Sequence, residues 1–239
     1  PKVEPMTVDT IFDLASLTKV VATTTSIMKL VEDGKLRLND TVGKYIPEIQ
    51  DEQAKKITIQ QLLTHVSGYA PDFDLREKWR GRDGMLQALY KEKLRTVPGV
   101  KFVYSDINFE ILGELIQRLS GMPEDQYIAK VVLKDLPVTR FRRISTADTD
   151  TALIAPTENI KGQNSYLGGS FEGSANEGER ILRGQVHDPT AFRMDGVAGH
   201  AGLFSNADDL ARFCQMLLNG GTLDGKRILS AQTIATMTR

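Results

Sequence analysis

Ser16 and Lys19 stand three residues apart in Ser16-Leu17-Thr18-Lys19. If this stretch opens a helix, both side chains emerge on nearly the same face, one turn apart. That arrangement suits a nucleophile and its base. A serine hydroxyl attacks poorly until a neighbour removes its proton, and a lysine can do so only where burial or another cation disfavours its ammonium form. The positive end of a helix supplies such a field, and its free N–H groups can stabilise an oxyanion. A Ser and a Lys at this spacing are expected about once by chance in a chain of this size. The pair alone therefore also fits a first-turn serine beside a solvated lysine. Two later clusters keep it company: Tyr104-Ser105-Asp106, at a strand-to-helix junction, and Gly199-His200-Ala201-Gly202-Leu203-Phe204, on a strand beside a helix.

The elements that must position these groups are legible from periodicity. The first helix opens at about Ser16 and runs to Asp33, with Val20, Thr24, Ile27, Met28 and Val31 on one face, and Gly34 stops it. Thr58 and Gln61 form a capping box ahead of Leu62 and Leu63, and this short helix ends at Ser67-Gly68. After the Pro98-Gly99 turn, Lys101 to Tyr104 reads as extended. It leads into a helix with Ile111, Leu112, Leu115, Ile116 and Leu119 on its apolar face, closed by Gly121. From Arg142 to Asp195 periodicity fades, and the glycine-rich stretch Lys161 to Gly178 reads as a long surface loop or lid. The last unit is a short strand around Gly199 to Phe204, then a helix started by Ser205 with Asp208, carrying Leu210 to Leu218 and ended by Gly220-Gly221.

Bulk properties narrow the function classes. The 239 residues carry 41% hydrophobic and 26% charged residues with a formal net charge of -1, the composition of an ordinary globular protein with no field to attract nucleic acid. Trp79, beside Arg76, Lys78 and Arg80, therefore reads as a lid or cleft wall rather than a base-stacking platform. The single cysteine, Cys214, excludes an internal disulfide and is expected to be a buried core thiol, and Met216 to Leu218 are expected in the core. No Cys/His cluster has metal-ligand spacing, so neither metal nor cofactor is expected. No apolar run approaches the roughly 20 residues that span a bilayer, and Pro1 to Asp9 lack the basic and apolar regions of a signal peptide.

Taken in order, the three clusters resemble the S-x-x-K, Y-x-N and K-T-G elements of the serine β-lactamases and penicillin-binding proteins. Phe12 to Lys19 and Leu62-Leu63-Thr64-His65-Val66-Ser67-Gly68 resemble two further signatures of the class C β-lactamase-like branch. The resemblance covers nearly the whole chain. It implies an α/β (α+β) transpeptidase-like fold in a single domain, 1–239. Residues 16–140 would form a mainly helical subdomain, 141–195 an irregular lid region, and 196–239 a strand and helix of the α/β part, packed on an antiparallel sheet. It also implies strands before Ser16 and after Arg239, so the chain is expected to be truncated at both ends, and another copy of the chain in a homo-oligomer, strand exchange or simply further residues outside this sequence could supply what is missing. A periplasmic or extracellular location is implied.

By the same resemblance, Ser16 would be acylated, Lys19 and Tyr104 would share its proton, and the backbone N–H groups of Ser16 and Leu203 would form the oxyanion hole. Gly202 would leave room for a substrate against its strand. Substrates would be small esters, amides, D-amino-acid peptides or β-lactam-like molecules, and the alternative is a catalytically weak relative that binds peptidoglycan-type ligands or a partner. Three positions depart from the pattern. Asp106 replaces an amide and reads either as a partner of Lys19 or as the N-cap of the next helix. His200 and Ala201 replace the lysine and threonine that hold a substrate carboxylate. His200 is expected mostly neutral near pH 7.5, which favours esterase or peptidase activity over efficient β-lactam hydrolysis. His65 is expected to pack beneath the site, and His187-Asp188 to end the lid.

Overall fold

The computed structural model describes residues 4–136, 142–143, 151–160 and 180–238. The glycine-rich stretch Lys161 to Gly178 lies outside them. In chain order the elements are β1 (Phe12–Asp13), a π-helical stretch (Lys19–Thr24) continuing into α1 (Thr25–Glu32), α2 (Val42–Tyr45), α3 (Ile59–Leu63), α4 (Gly81–Lys91), α5 (Asp106–Ser120) and α6 (Glu124–Tyr127). Then follow β2 (Arg142–Arg143), β3 (Glu158–Ile160), β4 (Arg180–Leu182), α7 (Pro189–Arg193), β5 (Leu203–Ser205), α8 (Ala207–Leu218), the hairpin β6 (Thr222–Leu223) and β7 (Lys226–Arg227), and α9 (Ala231–Met237).

The late glycines precede β5 rather than lying in it, and β5 is the centre of a three-stranded antiparallel sheet, β1-β5-β2. Phe12 pairs with Ser205, and Arg143 with Leu203. All three β5 residues are buried, as a strand covered on both faces requires. Against this sheet lies a helical layer centred on α5, whose Ile107, Ile111, Leu112, Leu115 and Ile116 are fully buried. Gly121 ends that helix at a left-handed φ of 73°. The capping box forms as expected: Thr58 Oγ1 accepts from the Gln61 N–H, and Gln61 Oε1 accepts from the Thr58 N–H.

The helix α5 meets the segment that enters β5 at Gly199. A Cβ there would sit 1.9 Å from the Phe109 carbonyl oxygen and 3.1 Å from the Gly113 nitrogen of α5, so only glycine lets the backbones approach this closely. Gly199→Ala is therefore expected to cost at least about 1–3 kcal/mol, as overpacking does. A thermal unfolding midpoint unchanged from wild type would contradict this packing.

Four local expectations are corrected. Val20 is half exposed while Val21 and Ala22 are buried, because the π-helical stretch breaks the 3.6-residue phase read from the sequence. The cap of α8 is Asn206, whose Oδ1 accepts from the Asp209 N–H, one residue later than Ser205. On α8, Phe213 and Met216 face inward, and the period then turns Cys214 and Leu218 outward. Among the described residues Lys101 to Tyr104 has no strand partner; its backbone is tied instead to the turn that follows α3.

Candidate active site

Ser16 stands at the lip of the helix, directly after Ala15, whose φ of 45° is unusual for a residue with a Cβ. Asp13 Oδ1 accepts from the Ala15 N–H and holds this turn. The chain then becomes helical and carries Lys19 inward, where its side chain is 3% exposed. Its Nζ donates to Ser16 Oγ at 3.0 Å and to the His200 carbonyl at 3.2 Å, and it pairs with Asp106 Oδ1 at 2.6 Å. Three acceptors around one Nζ are what an ammonium needs to be buried. The Nζ also lies 4.7 Å from the centre of the Tyr104 ring. Ser16, Lys19, Tyr104, Asp106 and the His200 backbone are thus brought together by the start of the first helix, the start of α5 and the segment entering β5.

Asp106 is the first residue of α5 and Ser105 is its N-cap, so the Lys19-pairing reading holds and the N-cap reading does not. Tyr104, half exposed, lies just before that helix with its ring beside the Lys19 ammonium. His65 stacks on it with centroids 4.5 Å apart.

Beneath Lys19 is an ionic network that the sequence reading did not foresee. His200 is fully buried, with Nδ1 against Glu110 Oε1 and Nε2 2.6 Å from Asp188 Oδ1. Burial opposes charging of the imidazole, but attraction to the two carboxylates outweighs it and holds its pKa well above 6.5. Burial likewise pushes Asp188 up, yet the His200 charge and hydrogen bonds to His200 and the Ala191 N–H bring it below 3.8. Nearby Asp72 is pushed up to about 6 by burial, against the His200 charge and a hydrogen bond from Thr190. The signal for Glu110 was available: it follows Asp106 by four residues on α5, between apolar neighbours Phe109 and Ile111. Nothing local marked Asp72.

Asp106, Asp188 and His200 offer ligand atoms within 4.8 Å of one another. Lys19 and the imidazolium already neutralise those carboxylates, so a divalent cation would enter only by displacing them.

A family model described as Beta-lactamase matches residues 2–239. The chain belongs to the beta-lactamase family. A protein of Salmonella agona (strain SL483) named for D-alanyl-D-alanine carboxypeptidase activity is 35% identical over 252 residues, covering 98% of this chain and 56% of its own length. The octameric penicillin-binding protein homologue from Pyrococcus abyssi superposes with a TM-score of 0.72 at 24% identity, over 98% of this chain and 50% of that one. A class C beta lactamase from Rhodobacter sphaeroides gives 0.71 at 20% identity, over 98% and 57%. The two superpositions show the β-lactamase/transpeptidase fold. The chain spans about half the length of the relatives it matches.

Within this beta-lactamase-family fold, two expectations for the late motif change, those for the His200 side chain and the Leu203 amide. The His200 side chain is not a neutral group in the cleft; it is an interior cation, and only its carbonyl reaches Lys19. Ala201 and Gly202 are buried, Gly202 at a left-handed φ of 108°. Leu203 is buried too, and its N–H donates to Thr18 Oγ1 at 3.1 Å, so the second amide expected at the oxyanion hole is already engaged. Thr18, inside the S-x-x-K segment, has no such role in the sequence reading. Its hydroxyl is fully buried and stands where that N–H points. Asp188 belongs to the network rather than only to a lid. Among the described residues, no helix is long and apolar enough to cross a membrane.

Proposed function

We propose that the chain carries the acyl-transfer site of a cofactor-free serine hydrolase acting on small esters, amides or D-amino-acid peptides. The observation that carries this reading is the 3.0 Å contact between Lys19 Nζ and Ser16 Oγ, with Tyr104 over the same ammonium. Ser16 Oγ attacks the substrate carbonyl carbon while its proton passes to the Lys19–Tyr104 pair; for Lys19 to take part as a base, the ammonium must first pass a proton on. The carbonyl oxygen becomes an oxyanion beside the Ser16 N–H at the helix start. Collapse expels the amine or alcohol, which takes up the proton, and leaves an ester on Ser16. Water then attacks that ester, losing its proton to the same pair, and the acid product departs as Ser16 is reprotonated.

Burial of the His200 and Ala201 side chains leaves neither for a substrate carboxylate. This favours neutral esters and amides over β-lactams. D-Ala-D-Ala peptides carry a carboxylate that would lack the same two side chains, and they enter only because the Salmonella relative is named for their hydrolysis.

Incubation with a fluorophosphonate tests the site directly. Ser16 Oγ displaces fluoride at phosphorus, the serine proton leaves through the base, and the mass rises by the phosphonyl group. The adduct should map to Ser16 and be absent from Ser16→Ala. A folded protein that gains no mass, or gains it elsewhere, defeats the proposal.

A further inference from the structure

We infer that His65 is the positioning residue of this site, setting the Tyr104 ring over Lys19 through their stacked faces; this rests on the acyl-transfer reading above.

His65 follows α3 at a left-handed φ of 57°, a conformation that His and Asn tolerate better than most residues. From there it holds three consecutive residues. Its carbonyl accepts from the Val103 N–H at 2.9 Å, its ring stacks on Tyr104 at 4.5 Å and 28°, and its Nδ1 accepts from the Ser105 N–H at 3.0 Å. The ring is itself fixed by Phe109 at 5.2 Å and by the edge of Phe102 at 5.9 Å. Among the described residues this replaces the strand pairing that Lys101 to Tyr104 lacks. A half-exposed tyrosine on an unpaired segment would otherwise sample several rotamers, and its place over Lys19 would be lost for part of the time.

The chemistry of the ring agrees. Nδ1 can accept only while unprotonated, and burial, then the Lys19 charge, lower the His65 pKa to about 4, with Asp106 opposing weakly. At neutral pH the ring is therefore neutral, with its proton on Nε2. Asn108 Nδ2 approaches Nδ1 at 3.4 Å as a second donor, and Ser67 Oγ donates to Asn108 Oδ1 at 2.5 Å. A cationic His65 beside Lys19 would repel it, so this group is built to orient, not to carry the proton.

Two substitutions separate the ring from the acceptor. His65→Asn tolerates the left-handed backbone and can offer Oδ1 to the Ser105 N–H, but has no ring. His65→Phe has the ring and no acceptor. With a fluorophosphonate, the acylation rate constant of His65→Asn is expected to fall at least about tenfold. Its reversible binding constant should be unchanged and its melting temperature near wild type. His65→Phe should melt earlier yet acylate at least about tenfold faster than His65→Asn. If His65→Asn does not fold, His65→Phe against His65→Leu carries the same contrast, since both lack the acceptor and only one has the ring. Acylation at the wild-type rate in folded His65→Asn, or equal rates for the Phe and Leu variants, overturns the inference. A wild-type protein that is never labelled overturns the acyl-transfer reading instead.

Discussion

Ser16→Ala and Lys19→Met are each expected to lower kcat for a p-nitrophenyl ester by roughly 10⁴–10⁶-fold, and the double variant by no more than the worse single one. Attack and proton removal are one event. Without the hydroxyl there is nothing to deprotonate, and without the amine the hydroxyl stays a weak nucleophile, so the second loss finds nothing left to remove. Methionine keeps the length and apolar stem of Lys19 in its buried channel, which limits the change to the lost charge and its contacts with Ser16, Asp106 and the His200 carbonyl. Steady-state rates on protein shown to be folded by circular dichroism decide the matter. Independent, multiplying losses would mean that the two residues do not act as a unit. A Lys19→Met enzyme within tenfold of wild type would leave the ammonium with a purely structural role.

The largest effect on stability is expected at His200. Replacing it by Leu leaves Glu110, 1% exposed, and Asp188 without their shared cation, and removing one partner of a buried ion pair typically costs about 3–5 kcal/mol. The dependence on pH has a definite sign. His200 is raised above 6.5, so its contribution is fully present below that value and is lost as pH rises through the folded pKa. Asp188 is lowered from 3.8, so its contribution is present above 3.8 and is lost as pH falls through its folded value. The gap between wild type and His200→Leu should therefore be widest between about 3.8 and 6.5 and narrow on either side. Asp72, raised from 3.8 to about 6, destabilises wild type further as pH rises through that range. Urea titrations at several pH values measure the gap. A gap that does not change with pH would show that the network does not ionise as its geometry requires.

What the amino-acid order determined about this protein is what lies within one or two helical turns. The S-x-x-K spacing, the capping box at Thr58 and Gln61, and the glycine that stops α5 are written in neighbours along the chain, and local backbone geometry obeys them. Family membership was legible for the same reason, because its signatures are short and ordered. The tertiary structure alone decided which way side chains face once three elements converge. His200 reads as a cleft residue until Glu110 and Asp188, brought in from α5 and from the start of α7, enclose both of its nitrogens and make it a cation. Leu203 reads as an oxyanion donor until Thr18, 185 residues away in sequence, meets its N–H. Val20 and Cys214 depended on helical phase, which one π-helical stretch or a shift of about one residue is enough to turn from core to solvent. Periodicity carries the existence of an element over many residues, whereas a charge state or a free amide depends on single atoms supplied from distant segments.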